Sequence, residues 1–182
     1  MSFNNYKIVG EDAFLEILNN KKNVVGETIV DKEDIPKLIE FGISWSRALA
    51  SATGKYYVYG TKYLGTTNGK PKYERIQLHR FLLNQHNPKI IIDHIDIDYF
   101  NNRKNNLRET DKSGNCRNRT SKNSNNTSGY RNVTMMDGYW RIQLQINGKN
   151  KLFSEKFLNV DEAGEFAEKM RQKHYGKYAG KN

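Results

Sequence analysis

Acidic side chains are the first shortage. The chain has 20 Asp and Glu against 30 Lys and Arg, giving a formal net charge of +10 at pH 7 and a pI of about 9.6. That imbalance favours a polyanionic partner, and nucleic acid is the commonest one. Cysteine is scarcer still. Cys116 stands alone, which excludes a disulfide framework and a Cys-based zinc site. No apolar run reaches the ~18 residues that a transmembrane helix needs. The opening stretch MSFNNYKIVGEDAF has no basic segment followed by an apolar one, so no secretory signal and no membrane are expected. These absences lead to the expectation of a soluble, cytoplasmic protein. Apolar residues are also few, at 36% with a mean hydropathy of -0.86. Aromatics are not: 11 Tyr, 8 Phe and 2 Trp point to folded modules with modest cores rather than a disordered chain.

The pattern along the chain predicts an α+β protein in three blocks. Residues 1–77 read as a mixed extension. EDAFLEILNN has the look of a short helix, NVVGETIVD of a strand, and KEDIPKLIEF of a helix capped by Asp31. KYYVYGTKYLG and KYERIQL flank the turn signal TTNGKP and predict a hairpin. In residues 78–119, LHRFLLN predicts a helix, IIIDHI and NLRET strands, and DKSGNCRNRT a helix capped by Thr110 or Asp111. DIDYFNNRKNN between the strands reads as a loop. Residues 120–127, TSKNSNNT, hold no apolar side chain and read as a linker. Residues 128–182 alternate polar and apolar across the turns MMDG and NGKN, which predicts three antiparallel strands. A helix follows, with Val160, Ala163, Phe166, Ala167 and Met170 on one face.

The stretch IIIDHIDIDYFNNRKNNLRETDKSGN carries the chemistry. Hydrolysing a phosphodiester requires a group that deprotonates water and a cation that steadies the phosphate. Histidine titrates near neutrality and suits the first task. A hard divalent cation suits the second and takes oxygen ligands. His94 offers the base, and Asp93 and Asn115 offer a carboxylate and an amide oxygen. On a regular strand Asp93 and His94 face opposite ways, so sharing a cleft requires the strand to end and bend there. From Arg103 to Lys122 there are seven Lys or Arg and two acids, an excess that a DNA backbone would balance.

DHIDIDYFNNRKNNLRETDKSGN resembles the His-Asn-His (HNH) motif, the ββα-metal finger of many homing endonucleases, and LHRFLLN is similar to the segment that commonly precedes it. The likeness spans roughly residues 75–119. It implies that His94 is the general base, that Asn106 braces the catalytic loop, and that Asp93 and Asn115 hold Mg²⁺ or Mn²⁺. Asn115 stands where the family's final His usually stands, as in a subset that uses one such cation rather than structural zinc. Arg103, Arg108, Arg117 and Arg119 are the expected backbone contacts, together with Arg80, which can hold a phosphate or brace the loop. His79 is read as structural or phosphate-contacting.

SGYRNV, YWRIQLQINGKNKLFSEKF and DEAGEFAEKMRQKHYGKYA together resemble the APETALA or ethylene-response-factor DNA-binding domain, which lays a three-stranded sheet in the major groove. By position, Arg131, Gln143, Gln145, Lys151 and Phe153 fall where that family contacts DNA, and Arg141 joins them by alternation alone. Asn132, Thr134 and Ser154-Glu155 depart from its usual residues, so no target sequence carries over. The expectation is a site-recognising endonuclease of the homing type that acts on double-stranded DNA. A catalytically silent DNA-binding regulator is the alternative. One motif per chain cuts one strand, and cutting both needs a dimer or a second binding event. Monomer and homodimer both stay open.

Overall fold

The computed structural model describes residues 3–19, 21, 23–50, 54–118 and 123–180. It divides into two compact units, Met1–Thr110 and Asp111–Asn182. Both mix strands with a few helices. No helix among the described residues is long and apolar enough to cross a membrane.

The first unit is built on a six-stranded sheet. Strands β1 (Tyr6–Val9), β2 (Asp12–Leu18), β4 (Trp45–Ala50), β5 (Lys55–Thr67) and β6 (Lys70–Gln77) lie in that order, and β3 (Val24–Asp31) pairs with β2. The segment expected as a helix at 11–20 is therefore strand β2. Its burial alternates strictly, with Ala13, Leu15 and Ile17 fully buried. Leu, Glu and Ala favour a helix locally, but pairing with β1 along one edge and β3 along the other overrides that preference. Asn4 completes the join to β4. Its Nδ2 donates to the carbonyls of Glu16 and Trp45 at 2.6 and 2.8 Å, and its Oδ1 accepts from the Trp45 N–H at 2.6 Å.

Helix α1 (Ile35–Phe41) follows a 3-10 turn at Lys32–Asp34 and ends on Gly42, whose φ of 70° suits a residue without Cβ. The expected cap, Asp31, makes no capping bond; its carboxylate accepts from the Lys104 N–H at 2.8 Å instead. Helix α2 (Leu78–Leu82) and the antiparallel pair β7 (Ile91–His94) and β8 (Leu107–Thr110) complete the unit. Leu78 and Leu82 share one core with Leu15, Ile17, Leu38, Trp45 and Val58. The expected boundary at 77/78 thus runs through a single core. The division lies after Thr110 instead, and it parts β8 from the helix that follows.

The second unit opens with α3 (Lys112–Arg117), capped by Asp111, whose Oδ1 accepts from the Gly114 N–H at 2.7 Å. Strands β9 (Val133–Met136), β10 (Tyr139–Ile146) and β11 (Lys149–Leu152) form an antiparallel sheet in the order β11-β10-β9. Asp137-Gly138 and Asn147-Gly148 close its two hairpins, and Asn68-Gly69 closes β5–β6, each with positive φ at both residues. Helix α4 (Val160–Tyr175) is capped by Asn159 and covers one face with Ala163 and Ala167 against Ile142 and Leu144. Strand β10 has two halves. Residues 139–142 pair with β9 and residues 143–146 with β11. Beside the second half, the Gln143 N–H donates to the Asn132 carbonyl at 3.0 Å and the Gln145 N–H to the Tyr175 hydroxyl at 3.1 Å.

Replacing Leu15 with Ala removes a fully buried side chain between paired strands. Urea unfolding should show a loss of ~3 kcal/mol. A loss below 1 kcal/mol would mean that β2 is not a core strand.

Candidate functional site

Hairpin β7–β8 sets the site. Asp93 lies directly opposite Arg108 and His94 opposite Leu107. Partners across an antiparallel pair share a face, so Asp93 and Arg108 meet. The Arg108 Nε and Nη2 both donate to Asp93 Oδ2, at 2.9 and 2.6 Å. Both side chains are buried. Arg108, expected to meet DNA, is instead committed to Asp93, because β-pairing places the two side by side inside the fold.

His94, the last residue of β7, points the other way and is 1% exposed. Its ring lies among those of Tyr57, His79 and Tyr99, with centroids 6.5, 5.3 and 5.5 Å away. Its Nε2 is 3.2 Å from Asn102 Oδ1. Asn102 Nδ2 donates to Thr28 Oγ1 at 2.8 Å, and that hydroxyl donates to the Phe100 carbonyl at 2.7 Å. Asn102 Oδ1 is therefore the acceptor. The network assigns the proton to His94 Nε2 and leaves the basic lone pair on Nδ1. Burial pulls the His94 pKa below 6.5, opposed by the Asn102 hydrogen bond and the charges of Asp96, Asp93 and Asp98.

The Asn-rich loop is held from inside. Asn106 Oδ1 accepts from the Asp96 N–H at 3.1 Å, and its Nδ2 donates to Asp96 Oδ1 and to the Asn101 carbonyl, both at 2.8 Å. Burial pushes the Asp96 carboxyl up. Hydrogen bonds from the Asp98 N–H, Asn101 and Asn106 outweigh it and leave the group below its usual range. Arg103 pairs with Asp12 at 3.1 Å and donates to Asn101 Oδ1 at 3.0 Å. Arg80 donates to the Ile90 and Asn87 carbonyls. Of its two expected roles, the structure shows it bracing the turn. Of these arginines, offered as DNA contacts, Arg103 ties the loop to β2 and Arg80 ties α2 to the turn before β7.

His79 is buried, and its pKa falls to about 3 through burial first, then the nearby charges of His94 and Arg80. Thr28, Tyr57, Tyr99 and Asn102 were not singled out from the sequence. Asn102 was visible only as one of several amides in FNNRKNN, and Thr28 lies 74 residues before it.

In the second unit, Asn115 stands exposed on α3. Asp93 and Asn115 offer a carboxylate and an amide oxygen, a donor set that fits a hard divalent cation. Arg108 and such a cation would compete for the same carboxylate. Among the described residues, no three His, Cys, Asp or Glu side chains gather around a point that could hold a metal. Arg117 lies 4.9 Å over the Tyr175 ring, and Arg119 falls outside the described residues.

Two of the expected DNA contacts, Arg131 and Phe153, are turned inward. Arg131 is 4% exposed and donates to the Ala179 and Arg117 carbonyls, so it is an internal brace. Phe153 belongs to the core. Lys151 lies opposite buried Leu144, on the helix side of the sheet. Gln143 and Gln145 are exposed on the other face, as alternation predicts, with Asn150 opposite Gln145. Arg141 lies opposite Thr134, and its Nη2 donates to the Phe153 carbonyl at 2.8 Å. A groove of about 900 Å³ runs between this face and α3. Lys112, Arg117, Asn125, Asn132, Gln143 and Gln145 line it, and no acid does among the described residues. Set against family models, curated proteins and solved structures, the chain matches none.

The histidines make stability depend on pH. Below about 6.5 the unfolded chain binds a proton at His79, whereas the folded chain does so only near 3. Stability is therefore fully present above about pH 6.5 and falls as acid is added through this window. The slope is up to ~1.4 kcal/mol per pH unit for this one group. Urea unfolding of wild type and His79→Leu at pH 7.0, 6.0 and 5.0 should show a flatter dependence in the variant. Parallel curves would rule out a neutral buried His79.

Proposed function

We propose that the chain is a metal-dependent DNA endonuclease of the HNH homing type. What carries this reading is His94: a histidine at the end of a strand, fixed in one tautomer by Asn102 on a loop braced by Asn106. In this reading β7, β8 and α3 are the ββα finger. His94 accepts a proton from the attacking water at Nδ1, while Asn102 holds the imidazolium through Nε2–H. Asp93 and Asn115 would hold Mg²⁺ or Mn²⁺, which supplies charge stabilisation for the phosphorane and the departing oxygen. Asn106 keeps the loop rigid. In the second unit, Gln143 and Gln145 face outward and suit adenine edges in a major groove. Lys112 and Arg117 beside them suit backbone phosphates.

A specific pair of observations favours the alternative, a DNA-binding regulator with a silent finger. Asp93 is held by Arg108, and His94 is nearly sealed from water.

A plasmid relaxation assay decides between them. Wild type and His94→Ala are each incubated with Mg²⁺, with Mn²⁺, or with a chelator. Conversion of supercoiled DNA by wild type with metal is expected, with at least a 100-fold loss in the variant and none in chelator. Equal activity of the two proteins removes His94 as the base. DNA binding without conversion in any metal supports the regulator.

A further inference from the structure

The hairpin β5–β6 carries a ladder of planar side chains that neither the core nor the nuclease chemistry uses. Thr61 lies directly opposite Arg75 and Tyr63 opposite Tyr73, so all four share one face with Tyr59. The Arg75 guanidinium lies 3.9 Å over the Tyr59 ring. The Tyr63 and Tyr73 rings are 5.5 Å apart, and these two side chains are 51% and 56% exposed. A cross-strand tyrosine pair also steadies a hairpin, but that role leaves two further features unused. The groove of about 980 Å³ along this face is lined by Lys21, Arg47 and Arg75 and, among the described residues, by no Asp or Glu. The same face of β5 also continues to Tyr57, whose ring lies 6.0 and 6.5 Å from those of His79 and His94. From Tyr57 to Tyr63 the strand advances ~20 Å, about six steps of a stacked strand at ~3.4 Å each.

From this we infer that the Tyr59–Arg75–Tyr73–Tyr63 face is a binding site for an unpaired DNA strand, whose bases stack on the tyrosines and whose phosphates meet the groove's cations. Bases inside a duplex do not offer their faces, whereas unpaired bases do, and every base has one. The absence of acids from the groove matches a polyanion. The inference rests on the nuclease reading in one respect: the face leads toward His94, so the strand it holds would adjoin the bond to be cut.

The test uses the full chain in chelator and fluorescence anisotropy with a labelled 20-nucleotide single strand and its duplex. Tyr73→Ala and Arg75→Ala are each expected to weaken single-strand binding by about 5- to 100-fold and duplex binding less than twofold. Arg75→Ala should also lower the salt slope by ~0.7. Tyr73→Phe, which keeps the ring, should bind as wild type, and it serves as the folded control if Tyr73→Ala is unstable. Arg75→Lys, which keeps the charge, should retain the salt slope of wild type and serves as the folded control if Arg75→Ala is unstable. Wild-type single-strand affinity in both Tyr73→Ala and Arg75→Ala overturns the site, as does an equal loss on duplex. Plasmid nicking is scored separately. Binding through Tyr73 with no nicking in any metal removes the nuclease reading and leaves the site standing. Nicking with unaltered binding removes the site alone.

Discussion

The arrangement around His94 depends on how the Asn-rich loop is stitched to the edge of β3. The Ile29 N–H donates to the Phe100 carbonyl and the Asn102 N–H to the Ile29 carbonyl, both at 2.8 Å. Thr28 adds its hydroxyl to the same join. Phe100 packs on the core of the first unit, and backbone pairing with an existing strand completes the anchoring. Once Asn102 is fixed, the orientation of the imidazole and the position of its proton follow. The sheet of the first unit thus acts on the histidine through the Asn102 amide, beside the ring of Tyr57 from β5. That explains why a hairpin of two four-residue strands, marginal alone, has a larger body behind it.

Electrostatics here are mostly internal. A buried pair such as Asp93 and Arg108 contributes little net stability compared with apolar residues of the same shape, but removing either partner leaves a buried charge uncompensated. Lys104 is held by Asp34 and Glu33 in a similar way, which raises its pKa against the cost of burial. Much of the basic excess around the motif is therefore spent on holding the loop. Among the outward-facing cations, Lys112 and Arg117 lie on the groove of the second unit and Lys21, Arg47 and Arg75 on that of the first.

How much of this was legible in the sequence varied with the range of the interaction. Asn68-Gly69, Asp137-Gly138 and Asn147-Gly148 marked their hairpins because a turn with two positive φ angles admits few residues. Alternation along β10 gave the faces of Ile142, Gln143, Leu144 and Gln145 correctly. Strand β2 was misread because Ala13, Phe14, Leu15, Ile17 and Leu18 satisfy a helical period as well as a strand, and only its neighbours decide. Arg131 and Phe153 looked like surface contacts because a sequence shows what residue type is present, not that a carbonyl of residue 179 or a helix lies beneath it. Arg108 was misplaced for the opposite reason. Its partner Asp93 had already been singled out, but strand register sets the pairing, and register is a property of two segments together.

The two-part pairing of β10 bears on how the sheet of the second unit covers its own backbone. A strand with one neighbour along half its length offers a row of backbone donors and acceptors to any passing strand. Here non-strand groups occupy that row: the Asn132 carbonyl and side chain at Gln143, and the Tyr175 hydroxyl at Gln145. On the other side, Phe157 exchanges two backbone bonds with Trp140. The last residue of α4 is thus a plug as well as a core side chain. Folding of the sheet and docking of the helix's final turn are coupled at that hydroxyl. A chain that had formed its strands but not yet seated Tyr175 would expose its most adhesive edge at that moment.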